Sequence, residues 1–71
     1  MNPDAPILVV EDNEDDLFFV RRAFKKAAPQ ETLAVVTDGQ AALDYLKGIV
    51  PFADRKVHPL PRIIFLDLKL P

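Results

Sequence analysis

The sequence contains no cysteine. That excludes disulfides, thiolate metal sites and a cysteine nucleophile, and it favours the cytoplasm over an oxidising compartment. No run approaches the roughly 18 apolar residues of a membrane span. The first residues, Met1-Asn2-Pro3-Asp4, lack the basic flank and apolar core of a secretory signal. Glycine occurs only twice, and no phosphate-cradling glycine loop or dinucleotide fingerprint is present. Internal repeats and low-complexity segments are also missing. Neither charge sign is in large excess, and a formal net charge of −2 argues against broad nucleic-acid binding. The 71 residues set one domain at most, near the lower limit at which a single core suffices. At 49% hydrophobic, the chain is too apolar for a disordered tail.

What is present is organised around the last nine residues, Ile63-Ile64-Phe65-Leu66-Asp67-Leu68-Lys69-Leu70-Pro71. Four large apolar residues run without alternation, the pattern of a strand buried on both faces in a parallel sheet. The run stops at Asp67. A carboxylate has no packing reason to be there. It has a chemical one if the strand's carboxyl end opens into a crevice, where open α/β sheets hold their ligands.

Pro6 to Val10 reads as a first strand, continuous and apolar, and therefore central. It too ends in acids, Glu11-Asp12. A helix is expected from roughly Glu14 to Ala28, with Asn13 as N-cap and Asp16 completing a capping-box-like pair. Leu17, Val20, Ala23, Phe24, Ala27 and Ala28 share one arc of that helix. Its acids fill the first turn and its bases the last two, as the helix dipole favours. Phe18 projects instead among Arg21, Arg22, Lys25 and Lys26. Pro29 ends the helix. A second strand follows over Thr32 to Thr37, then a short helix over Gln40 to Lys47 with Asp38 as N-cap and Gly48 as the stop. Ala42, Leu43, Tyr45 and Leu46 form its apolar side. Gly48 to Pro61 is a long proline-rich connection, tacked to the body through Phe52, Val57 and Leu60, with His58 solvated.

The order is β-α-β-α-β. Crossovers that each contain a helix make the strands parallel and the connections right-handed. The fold class is α/β, a flavodoxin-like doubly wound parallel sheet with strand order 2-1-3. In that order the first and third strands are neighbours, ~4.8 Å apart, and Glu11, Asp12 and Asp67 converge at one end of the sheet. Carboxylates that close repel, and a hard cation relieves the conflict. An oxygen-only donor set with few members suits Mg²⁺. The combination suits phosphoryl transfer, with Asp67 as nucleophile and Glu11 and Asp12 holding the metal. The plain rivals are a dipole-matched helix start for residues 11–16, a turn cap for Asp67, an ordinary surface lysine for Lys69, and a wet helix face for Arg21, Arg22, Lys25 and Lys26.

Ile7-Leu8-Val9-Val10-Glu11-Asp12-Asn13 resembles the first strand and acidic pair of two-component response-regulator receiver domains. Asp38-Gly39-Gln40-Ala41-Ala42-Leu43 is similar to their second-helix signature, and the last nine residues look like their phosphoacceptor strand. The loop around Pro51-Phe52-Ala53-Asp54 is similar to a stand-alone subgroup that includes receivers paired with bacterial phytochromes. The resemblance implies that Asp67 accepts a phosphoryl group from a histidine-kinase phosphohistidine, or from a phosphotransfer protein. It implies Mg²⁺ held by Asp12 and Asp67, by Glu11 through water, and by the backbone carbonyl of Lys69, whose side chain influences the phosphoryl lifetime. It also implies that Phe18, Arg21 and Arg22 help dock the kinase, which in the phytochrome-associated subgroup is a phytochrome-type kinase.

The family has five strands, and this sequence stops after the third. The expectation is one receiver domain over 1–71, incomplete at its C-terminus, lacking the switch Ser/Thr and the later Lys. Further residues, a fragment, or a homodimer or sheet-completing exchange are each compatible with an exposed apolar third strand. The function expected is a phosphoacceptor that catalyses only its own phosphotransfer and dephosphorylation, without membrane or nucleic-acid partners. The alternatives are a receiver-like interaction module that is not phosphorylated, and a metal-dependent hydrolase of similar fold. A haloacid-dehalogenase-type phosphatase wants a second acid where this chain has Lys69.

Overall fold

The computed structural model describes residues 4–66, so Asp67 and Lys69 lie outside the described residues. Within them the chain forms β1 (Ile7–Val10), α1 (Glu14–Ala27), β2 (Leu33–Val36), α2 (Gly39–Lys47) and β3 (Ile63–Leu66). All pairings are parallel and the order is β2-β1-β3, the expected doubly wound arrangement. Val10 is level with Val36 on one side and with Leu66 on the other. The three strands therefore end together.

Strand parity decides which helix covers which face, because successive side chains point to opposite sides. Leu8 and Val36 join Ala42 and Tyr45 of α2 in the buried core, with Val10, Ala34, Leu46 and Phe52 packed around them. The other face carries Val9 and its register partner Phe65. There the Phe65 ring meets Phe24 of α1 edge to face, 5.8 Å between centroids. Leu8 and Val9 are fully buried, which contributes about 1.5–3 kcal/mol each. β1 is thus covered on both faces and flanked on both edges, as its unbroken apolar run requires.

β3 differs from the buried strand expected of its sequence. All four of its residues are exposed, from 38% at Phe65 to 54% at Leu66. It is the outer strand among the described residues, with β1 on one edge only. The same shortage of neighbours corrects the arc of α1. Leu17, Val20, Phe24 and Ala28 are half-buried, Ala23 and Ala27 are exposed, and no residue of the helix is fully buried. In α2, Leu43 is exposed rather than packed.

The helix ends follow the sequence closely. Asn13 Oδ1 accepts the N–H groups of Asp15 and Asp16 at 2.9 and 3.1 Å. Asp38 Oδ1 accepts the Ala41 N–H at 2.7 Å. Gly48 closes α2 in the left-handed region at φ 71°, the conformation glycine adopts without a Cβ penalty.

The long connection after α2 is held by an arginine. Arg55 Nη1 donates to the carbonyls of Tyr45 and His58 at 2.8 and 3.1 Å, and Nη2 to that of Leu46 at 2.9 Å. One guanidinium therefore ties the carboxyl end of α2 to the loop, where a positive charge also suits the helix dipole. The Tyr45 hydroxyl donates to the Pro59 carbonyl at 2.9 Å. His58 is half-buried and lies edge-on to Tyr45 and Phe52, a correction to its expected solvation. Val57 and Leu60 are exposed, so Phe52 alone of the three expected anchors packs inward. At the amino end of the sheet, Arg62 pairs with Glu31 and donates from Nε to the Ala5 carbonyl at 3.2 Å. Its N–H bonds the Pro6 carbonyl at 3.0 Å. These contacts fasten β3 beside β1.

Candidate functional site

The carboxyl ends of β1 and β3 lie side by side, with Val10 and Leu66 in register. Glu11 follows Val10 directly and is only 3% exposed. It is held from two directions. Its own N–H donates to the Val36 carbonyl at 3.0 Å, extending the ladder to β2. Its Oε1 accepts the Asn13 N–H at 2.9 Å. A carboxylate at this depth is costly unless hydrogen bonds or a cation meet it, and here the Asn13 N–H meets one of its oxygens. Asp12 is exposed at the same end. Asn13 then opens α1, whose first turn carries Glu14, Asp15 and Asp16.

Of the residues expected at the site, the structure thus brings Glu11 and Asp12 to the carboxyl end of the sheet, beside the end of β3. Asp67 is the next residue in the sequence after Leu66 and lies outside the described residues, as does Lys69. Among the described residues alone, no three acidic or histidine side chains form a metal cluster. Glu11 and Asp12 supply oxygen donors only, the chemistry that fits a hard divalent cation.

The expected docking residues lie on α1. Phe18 is 59% exposed. It lines a surface depression with Arg21, Arg22 and Lys25, so the apolar ring does project among bases. Its neighbour Phe19, 63% exposed, widens that apolar surface, and their rings meet edge to face at 5.8 Å. Phe19 carried no separate signal in the sequence. Nor did Arg55, because a single arginine in a proline-rich stretch has no diagnostic spacing. No helix among the described residues is long and apolar enough to cross a membrane.

No protein-family model matches the chain. Two curated relatives do. The chain is 38% identical over 65 residues to the probable methanogenesis regulatory protein FilR2 of Methanothrix harundinacea, covering 92% of this chain and 39% of that one. It is 34% identical over 70 residues to the response regulator Rcp1 of Synechocystis, covering 99% and 46% respectively. Among solved structures, the response regulator RPA3017 in red light signalling of R. palustris superposes with a TM-score of 0.85 at 39% identity. That match covers 90% of this chain and 45% of the other. The chain belongs to the response-regulator receiver domains, of which it matches a part. It spans less than half the length of these relatives. The receiver's β1 and β3 are the two strands whose ends meet here, and a response regulator's role is in signalling.

Proposed function

We propose that this receiver segment is the phosphoacceptor half of a two-component phosphorelay domain. The observation that carries the reading is the level ending of adjacent parallel strands, Val10 beside Leu66, each followed in the sequence by acid: Glu11-Asp12 in one case and Asp67 in the other. Asp67 is the nucleophile. Its carboxylate oxygen bonds to phosphorus as the nitrogen–phosphorus bond of a kinase phosphohistidine breaks, and the electron pair returns to the imidazole. Catalysis of this kind is mostly positioning and neutralisation of the phosphoryl oxygens.

Mg²⁺, when bound, supplies that neutralisation. Glu11, Asp12, Asp67 and the backbone carbonyl of Lys69 would hold it. The buried position of Glu11 and the all-oxygen donor set support the assignment. Glu11 anchors the site, since its carboxylate is fixed by the Asn13 N–H. Asp12, exposed beside it, is placed to meet solvent-borne ions.

The donor is a sensor histidine kinase or phosphotransfer protein, docked in part through Phe18, Arg21 and Arg22 on α1. A phytochrome-type kinase is favoured by the loop around Pro51-Phe52-Ala53-Asp54 and by the red-light signalling role of the R. palustris neighbour. The cytoplasm is the compartment in which such a kinase would meet it.

The test is incubation of the protein with Mg²⁺ and a small acyl-phosphate donor, followed by peptide mapping. The expected result is an acid-stable, base-labile adduct at Asp67, absent in Asp67→Asn and slowed in Asp12→Asn. Absence of the adduct in a folded protein would overturn the reading in favour of an unphosphorylated interaction module. Hydrolysis of the donor without modification of Asp67 would point to a hydrolase.

A further inference from the structure

We propose that the outer edge of β2, with the cavity beside it, docks an extended peptide strand of a partner protein, apolar with one acidic side chain. The ladder geometry comes first. The Ile7 N–H donates to the Thr32 carbonyl at 2.8 Å and the Glu11 N–H to the Val36 carbonyl at 3.0 Å. In a parallel strand, alternate residues turn their backbone groups to the same side. Residues 32, 34 and 36 therefore face β1, and the N–H and C=O groups of Leu33 and Val35 point away from it. β2 is the outermost strand on that side, and neither residue finds a backbone partner among the described residues. Edges are normally protected by proline, lysine or a bulge. Leu-Ala-Val-Val at 33–36 has none of these.

The second observation is a cavity of about 410 Å³ against that edge. Four consecutive residues, 32–35, line it. Side chains alternate across a sheet, so four in a row reach one cavity through the strand's edge. The facing wall comes from the connection after α2, through Phe52, Lys56, Val57 and His58. That wall favours a single extended segment over a second copy of this chain, because a whole sheet edge could not enter between the loop and β2. An added strand would take its main-chain bonds from Leu33 and Val35. Its alternate side chains would meet the half-buried Phe52 and His58 rings, whose centroids stand 5.3 Å apart and which rest on the buried Tyr45. Main-chain bonds supply affinity in such complexes, and side-chain pockets supply specificity. Lys56 is exposed on the loop wall, whereas Asp4 lines the end near β1. An acidic side chain in the incoming segment is therefore favoured at the loop side.

The probe is a fluorescein-labelled hexapeptide of alternating valine and threonine with one central glutamate, titrated into the protein and followed by anisotropy and amide chemical shifts. Binding should shift resonances of residues 32–36 and 56–58. Val35→Pro deletes an outward N–H while leaving the β1 ladder intact, a substitution edge strands tolerate. It should weaken binding about fivefold to tenfold. Lys56→Glu should weaken the glutamate probe and not its glutamine counterpart. As a control on folding, the wild-type protein should bind a probe N-methylated at alternate amides about tenfold less tightly. No binding, or binding indifferent to both Val35→Pro and N-methylation, would overturn the proposal. So would concentration-dependent self-association lost in Val35→Pro, which would make a second copy the occupant.

Discussion

Replacing Arg55 by methionine keeps the apolar stem and removes the guanidinium. Three carbonyls lose a donor: those of Tyr45, Leu46 and His58. The Tyr45 carbonyl keeps a second donor, the Gly48 N–H at 3.2 Å. The other two keep none among the described residues. Arg55 is only half-buried, so water replaces part of what is lost. Two such carbonyls at about 1 kcal/mol each, with about 0.3–1 kcal/mol for the cation at the end of α2, give a loss of about 2–3 kcal/mol. For a domain of this size that lowers the melting temperature by about 10–20 °C. Urea denaturation followed by far-ultraviolet circular dichroism measures the loss directly, and an unchanged slope would show that the unfolded state is not the cause. Arg55→Lys should recover less than roughly half, because one ammonium cannot span three carbonyls in two directions. A loss under about 0.5 kcal/mol, the range of ordinary surface substitutions, would refute the claim that this residue fastens the loop to α2.

Three further outcomes are expected. Asn13→Ala should cost about 1 kcal/mol in the same urea experiment, since its side chain caps two N–H groups of α1. Gly48→Ala should cost about 1–2 kcal/mol: the position has φ 71°, and a Cβ there would stand 2.9 Å from Arg55 Nη2. Burial raises the Tyr45 phenol above its ordinary value of 10.0, with Arg55 acting the other way. A raised folded-state value means the stability is whole below about pH 10 and falls as pH climbs through the folded value. Alkaline titration of stability should show that drop, and Tyr45→Phe should abolish it while costing about 1 kcal/mol at neutral pH through the undonated Pro59 carbonyl.

The fold was legible because its signals are local. Unbroken apolar runs marked β1 and β3, Asn13 and Asp38 marked helix starts, and Gly48 marked a stop. Helical crossovers then forced parallel pairing and left few strand orders. What the pattern could not supply is which apolar groups have neighbours. Ile63 to Leu66 reads as a buried strand, yet burial depends on what lies beyond it, and among the described residues only β1 pairs with it. Ala23, Ala27 and Leu43 follow the same rule. The loop was opaque for another reason. Arg55 acts through carbonyls contributed by Tyr45, Leu46 and His58, and backbone acceptors leave no trace in sequence. At the site, Glu11 and Asp12 were legible as acids closing an apolar strand. That one is sunk and the other exposed was not, because it depends on the Asn13 N–H turning back onto Glu11.

The middle strand of the sheet is the first to be made. As the chain is synthesised, Leu8 and Val9 emerge long before either flank exists. They must wait for Val36 on one side and then Leu66 on the other. Pairings this distant along the chain form slowly, so the most oily segment is also the one left longest in water. A nascent chain of this kind is at its stickiest in mid-translation, and holding it apart from its siblings until β2 and α2 have appeared is a task for the ribosome and its attendant chaperones.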